Sequence, residues 1–378
     1  VKVKIYRYQS FSPYTVKGLI YDELFFAYPK ELNDPIDGKV TFRFHNNENR
    51  WINLLTQAWG DIPEVKLAAK NLMTHSQITI SDIIDTSLLP YFLFGVENNV
   101  NTAPMQNYNK TILSEKLSFY VSQWVKADTA SVSFSYAGDN NLMWSHYANK
   151  HEGFCLIFRD DEGHLNQCPI RKRESVSKTH FSRGMQSLVP LRMKFEEIVY
   201  IPPSEKDYPD AFLLFPQAVY GEPITEQDRL AYWDKVRLHQ VTKNENWSYE
   251  KEARLILHSS DHDISPNQRL FYYNFGQLVG VIFGMRMASS KREQIVEILC
   301  MKSEQNAISN YKPKWLPDII LHEANFDSNN KMTFRPIAAI SHGKIIERRS
   351  DKFNYIYKNW EEDKCLYIDE SGGMSNCS

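Results

Sequence analysis

The 378 residues contain no CxxC pair, no HExxH, no glycine-rich phosphate loop and no GxSxG elbow. Five cysteines (Cys155, Cys168, Cys300, Cys365 and Cys377) are odd in number and scattered, so they offer no zinc framework and fit a reducing cytoplasm. These absences disfavour a P-loop nucleoside triphosphatase, a zinc protease and a serine hydrolase. The acidic-histidine run Asp261-His262-Asp263 reads as a polar turn, and no metal is expected. No apolar run reaches bilayer length, so no membrane association is expected. The opening residues Val1-Lys2-Val3-Lys4-Ile5-Tyr6 alternate like a strand and lack the apolar block of a signal peptide. A net charge of −2 supplies no global attraction for nucleic acid. What the chain does have is apolar and aromatic mass. Its 42% hydrophobic residues suffice for one large or two ordinary cores, and 21 Tyr, 21 Phe and 8 Trp argue against disorder.

Strands are predicted at Tyr6 to Tyr8, Leu24 to Tyr28, Ala130 to Tyr136, Phe154 to Phe158, Phe195 to Ile201 and Leu278 to Phe283. Helical spacing runs through about 50–124, with Trp51, Leu54, Leu55, Ala58 and Trp59 on one face, and recurs at 226–242 and 289–300. A short helix from Asn141 to Lys150 is expected with Asp139 or Asn140 as N-cap, ended by Gly153. The Asn-rich stretch 98–109 reads as a loop and 160–190 as an exposed excursion around Arg171-Lys172-Arg173. Single strands between helices and long insertions predict one elaborated α+β domain over 1–340. A helical extension and disordered tail are predicted over 341–378.

Three islands of polar residues interrupt predicted strands. The first, Tyr6-Arg7-Tyr8, offers a planar fork of donors flanked by rings. The second joins Ser133-Phe134-Ser135 to Met143-Trp144-Ser145-His146-Tyr147-Ala148, with Trp144 expected in the core. The third, Trp247 to Leu257, carries Glu250 and Glu252 two residues apart. Strand alternation projects them together with Arg254, while Ala253, Leu255 and Leu257 face away. Two like charges on one face are either solvated or used; the bland alternative is a strand edge guarded by charges. Used, one carboxylate stabilises developing positive charge while the other orients or deprotonates an acceptor.

Together with Leu32-Asn33-Asp34-Pro35, Gly153-Phe154-Cys155 and Val281-Ile282-Phe283-Gly284, these islands resemble the bacterial domain of unknown function 2971 family over roughly residues 4–300. More distantly, the order of Arg7, Ser133-x-Ser135 and Glu250-x-Glu252 is similar to the arginine–serine–glutamate pattern of ADP-ribosyltransferases. That resemblance implies a split β-sheet core with large helical insertions, NAD as substrate, and Glu252 as the catalytic carboxylate with Glu250 positioning the acceptor. It implies that Arg7, Tyr8, Ser133 and Ser135 hold NAD, with either a serine of that strand or His146 or Tyr147 lining the nicotinamide side. Phe134 departs from the usual threonine, and the long intervals between motifs require two insertions. The implied protein is a mono-ADP-ribosyltransferase, a toxin-like effector in a toxin–antitoxin or phage-defence system. Its acceptor would be RNA, DNA or protein, and it would have a possible antitoxin partner. Arg171-Lys172-Arg173 is the patch that would meet a nucleic acid. The competing readings are a magnesium-dependent nuclease using Asp34, Glu250, Glu252 and Lys251, and a non-catalytic interaction module.

Overall fold

In the computed structural model the described residues are 3–34, 37–95, 104–125, 129–168, 192–202, 207–257, 269–308, 318–362, 366–368 and 374–376. The chain has a mixed α+β architecture and divides into two units that interleave along the sequence: 1–33, 130–200 and 243–378 in one, 34–129 and 201–242 in the other.

The first unit is built on a nine-stranded mixed sheet. In chain order its strands are β1 (Lys4–Gln9), β2 (Ala130–Ser135), β3 (Phe154–Arg159), β4 (Glu196–Glu197), β5 (Glu252–Leu257), β6 (Leu278–Phe283), β7 (Ile319–Phe326), β8 (Met332–Ser341) and β9 (Lys344–Glu347). Their order across the sheet is β9-β8-β7-β6-β3-β1-β2-β5-β4. Only β6 and β7 run parallel; the other pairs with a recorded direction are antiparallel. The first, serine and two-glutamate strands are therefore neighbours, as β1-β2-β5. Central β3 and β6 are apolar runs buried on both faces, as a strand with cover on each side requires. On β2 the alternation predicted from sequence holds: Ala130, Val132 and Phe134 enter the core with Ile5, Leu156, Phe158, Ala253, Leu255 and Leu257.

Helix α1 (Pro13–Tyr21) starts on a Ser12–Thr15 capping box with proline in its first turn. Helix α2 (Asn141–Tyr147) is N-capped by the Asn140 side chain, which accepts from Leu142 N and Met143 N. It stops three residues short of the expected Lys150 because Asn149, Lys150 and His151 all take positive φ. Helix α3 is Ser289–Ile308. The helix expected in the C-terminal extension is α4 (Asp351–Glu361), preceded by β9 and tied to β6 by a Trp360 Nε1 bond to the Val279 carbonyl at 2.8 Å.

The second unit is mainly helical, with Glu48–Trp59, Glu64–Met73, Ile80–Ile84, Leu89–Phe94, Pro104–Ser122 and Glu226–Gln240 as its principal helices. The loop expected over 98–109 is helical from Pro104 onward. Trp51, Leu54 and Leu55 pack with Phe44, Leu72 and Phe212, so the helical stripe read from sequence is the core face.

Candidate functional site

Glu252 opens β5 and shares a sheet face with Arg254, as alternation requires. Arg254 Nε donates to Glu252 Oε1 at 2.6 Å and Nη2 donates to Oε2 at 2.8 Å, a bidentate grip. Glu250 lies outside the strand. It ends a 3-10 helix, Glu245–Glu250, and Lys251 follows with φ 44°. The strand expected from Glu250 thus begins two residues later, and the two carboxylates converge by another route. Lys243 Nζ donates to Glu250 Oε2 at 2.6 Å and to Glu252 Oε2 at 3.1 Å. Lys251 is exposed. Lys243 is the lysine of this site.

Lys243, Glu250, Glu252 and Arg254 are 6%, 2%, 3% and 1% exposed, so the cluster is no solvated strand edge. Two cations balance two anions out of water, the condition under which buried ions are tolerated. Further bonds fix the carboxylates. The Tyr147 hydroxyl donates to Glu250 Oε1 at 2.6 Å and accepts from Asn33 Nδ2 at 3.1 Å. The Ser133 hydroxyl bonds Glu252 and is itself exposed, which leaves this carboxylate adjoining a solvent-facing group. Ser135 is wholly buried; its Oγ donates to the Glu250 carbonyl at 2.6 Å and accepts from Ala137 N at 3.0 Å. Glu252 N donates to the Tyr200 hydroxyl at 2.8 Å, and Asn140 Nδ2 to the Tyr249 carbonyl at 2.8 Å.

Proton affinities of the two glutamates move apart. Burial raises the Glu250 carboxyl against the pull of Lys243 and Tyr147, and the Glu252 charge adds to the rise. Burial also works to raise Glu252. There the Arg254 charge and hydrogen bonds outweigh it, aided by Lys243 and Ser133, and hold the carboxyl at about 2. Tyr147 is raised by burial and by its bond to Glu250, and burial pushes Tyr200 up to about 12. One carboxylate is therefore fixed as an anion while its neighbour holds a proton more readily, a division that suits acid–base work beside a fixed charge.

The remaining expected residues divide by sheet face. Tyr6 pairs with Ser135, and Glu252 also pairs with Ser135, so Tyr6 and Tyr8 share the face of Glu252. Tyr8 is occupied there: its hydroxyl donates to the Ala137 carbonyl at 2.8 Å and its ring meets Trp144 edge-on at 5.3 Å. Arg7 is the correction. Flanked by Tyr6 and Tyr8, it points to the opposite face, where its guanidinium lies 5.4 Å from the Phe134 ring and Nη1 donates to the Ser133 carbonyl at 2.9 Å. The strands neighbour one another, but the side chains of Arg7 and Glu252 do not meet. Trp144 is fully buried, as expected, with Nε1 donating to the Gly138 carbonyl at 2.9 Å. His146 is exposed, its ring edge-on to Tyr147 at 6.4 Å. Arg171, Lys172 and Arg173 lie outside the described residues.

Sequence reading missed Lys243 and Tyr200. Neither carries a local signal: Lys243 sits in the polar run Thr242-Lys243-Asn244-Glu245, and only the fold reveals that it is buried. Among the described residues no group of three or more His, Cys, Asp or Glu is arranged to hold a metal ion, and no helix is long and apolar enough to cross a membrane. No curated protein and no solved structure matches the chain. Residues 143–255, which run from α2 into β5 and contain Tyr147, Tyr200, Lys243, Glu250, Glu252 and Arg254, match the sequence model of a family described as protein of unknown function, DUF2971.

Proposed function

We propose that the glutamate cluster is the catalytic centre of a transferase that breaks a glycosidic bond, with NAD as donor and a macromolecule, nucleic acid or protein, as acceptor: mono-ADP-ribosyl transfer. One observation carries the reading: two buried carboxylates share one lysine, and their proton affinities move apart, Glu250 upward and Glu252 downward. In the proposed step the bond between nicotinamide nitrogen and ribose C1′ breaks and its electron pair leaves with nicotinamide. Glu252 opposes the positive charge left on the ribose. The acceptor nucleophile bonds C1′ and passes its proton to Glu250, whose raised proton affinity makes it the better base. Ser133, Ser135, Tyr8 and Tyr147 belong to the same side of the sheet or contact the cluster, and Arg7 takes no direct part. An ADP-ribosyltransferase-like core and a toxin-like role in defence belong to this proposal.

A second reading has its own observation. Four mutually neutralising charges, none above 6% exposed, also describe an ion lock that only holds β5 to the segment before it. Nicotinamide release and acceptor labelling by wild type, Glu250→Gln, Glu252→Gln and Glu252→Asp, with cell lysate as acceptor, separate the two. The transferase reading expects a hundred- to a thousand-fold loss of release in the Glu252 variants. It expects lost labelling with residual NAD hydrolysis in Glu250→Gln. Folded wild type that neither binds nor consumes NAD leaves the ion lock as the function of these residues.

A further inference from the structure

The face of β1 turned away from the glutamates presents a cation with no anion beside it. Arg7 makes one hydrogen bond, to the Ser133 carbonyl, and its other polar contact is the Phe134 ring. Its Nε is out of solvent and finds no partner among the described residues. The groups that act on its charge are Tyr273 and Cys155, with no carboxylate among them, and burial lowers its proton affinity to about 10, which keeps it charged near neutrality. A guanidinium has five N–H donors and is costly to keep half-buried without a counter-charge.

Tyr273 supplies the second observation. It is 1% exposed, and its hydroxyl has no partner among the described residues. Its ring is edge-on to Phe158 at 5.0 Å, and Phe134 also meets Phe158 edge-on, at 5.7 Å. Phe158 pairs with Ile5, which places all three rings on the side of the sheet to which Arg7 points. Two residues along the same strand face, Gln9 Oε1 is also buried without a partner among the described residues. On this face a donor on Arg7, the Tyr273 hydroxyl and an acceptor on Gln9 are left over together among the described residues.

We propose that Arg7 and Tyr273 form an anion site, separated by the sheet from the glutamate cluster, that takes a phosphate or carboxylate group. The Arg7 Nε–H and the Tyr273 O–H donate to the anion's oxygens, and Gln9 accepts from a protonated oxygen where the ligand has one. The site stands whether or not the glutamates catalyse glycosyl transfer.

Thermal unfolding and titration calorimetry of the full chain test it, with inorganic phosphate and acetate as probes against chloride at matched ionic strength. Wild type should show a saturable rise in Tm of several degrees at about a hundredfold excess over Kd. A rise with phosphate alone assigns a phosphate site, and one with acetate alone a carboxylate site. Arg7→Met should abolish the rise and Tyr273→Phe should weaken it at least several-fold in Kd. In chloride, Arg7→Met should melt no lower than wild type, because it removes a charge that nothing neutralises. No saturable rise with either probe, an equal rise in Arg7→Met, or a Tyr273→Phe variant that binds like wild type would each overturn the site. A pronounced loss of stability in chloride-grown Arg7→Met would likewise show that the guanidinium is already satisfied.

Discussion

Glu250 and Glu252 hang on one ammonium group, and removing their charges one at a time has opposite expected consequences. Glu252 is depressed from 4.5 to about 2, so its ionised form stabilises the fold above pH 4.5 and that contribution is lost as pH falls toward 2. Glu252→Gln should cost about 3–5 kcal/mol at pH 7, since Arg254 loses its buried partner, and the gap to wild type should close in acid. Glu250 is raised, so its neutral form is the stabilising one and stability is lost as pH climbs from 4.5 through its folded value. Glu250→Gln should therefore be at least as stable as wild type at pH 7, with the difference vanishing by about pH 4.5. Denaturant titrations across this range, run on both variants, decide; equal slopes with pH would mean the carboxyls do not differ. At this scale the sequence showed the Glu252–Arg254 pairing, because both lie on one strand and spacing alone sets their face. It did not show the face of Arg7 relative to Glu252. That depends on the pairing of Tyr6 with Ser135, and a one-residue slip would have reversed it.

At the scale of elements, α2 is seated by a turn that has no room for a side chain at Gly153. After Tyr147 the chain passes through three consecutive residues of positive φ, then Gly153, whose amide bonds the Ala148 carbonyl at 2.8 Å. A Cβ on Gly153 would stand 2.2 Å from the Gln9 carbonyl oxygen, and one on Gly284 would stand 2.2 Å from the His151 carbonyl oxygen. Gly284 N also bonds the Gly153 carbonyl at 2.9 Å. Two motifs that are 131 positions apart in sequence, reckoned as 284 − 153, are thus one backbone contact. The strand and helix starts around it were legible from apolar runs and the Asn140 cap, but the reason for the glycines was not, since it lies in segments brought together by β1, β3 and β6. Gly153→Ala should destabilise by about 2–3 kcal/mol because backbone, unlike a flexible side chain, cannot yield. It should also reduce protection of α2 amides in hydrogen exchange. A variant melting like wild type would contradict the close approach.

At the scale of the whole molecule, two apolar cores have no residue in common: one gathers Ile5, Phe134, Phe158 and Leu255 around the sheet, the other Phe44, Trp51, Leu72 and Phe212 among helices. Read in chain order, 1–340 runs as one elaborated domain, because no linker or shift in composition marks where one unit leaves off and the other resumes. The helical periodicity of 50–124 was visible, but its partnership with 201–242 was not, since each stretch is amphipathic alone and nothing local names what it packs on. Separate cores predict separable unfolding. Trp51 is 1% exposed, with Phe44 at 4.5 Å and Phe212 at 5.1 Å, so Trp51→Ala should cost about 3–5 kcal/mol. Hydrogen exchange followed by mass spectrometry should then show lost protection in Glu48–Trp59, Glu64–Met73 and Ala211–Leu214, with β2, β3 and β5 protected as in wild type. Equal loss in both sets would mean that the chain unfolds as one cooperative unit, and that the two cores are divided in space without being divided in energy.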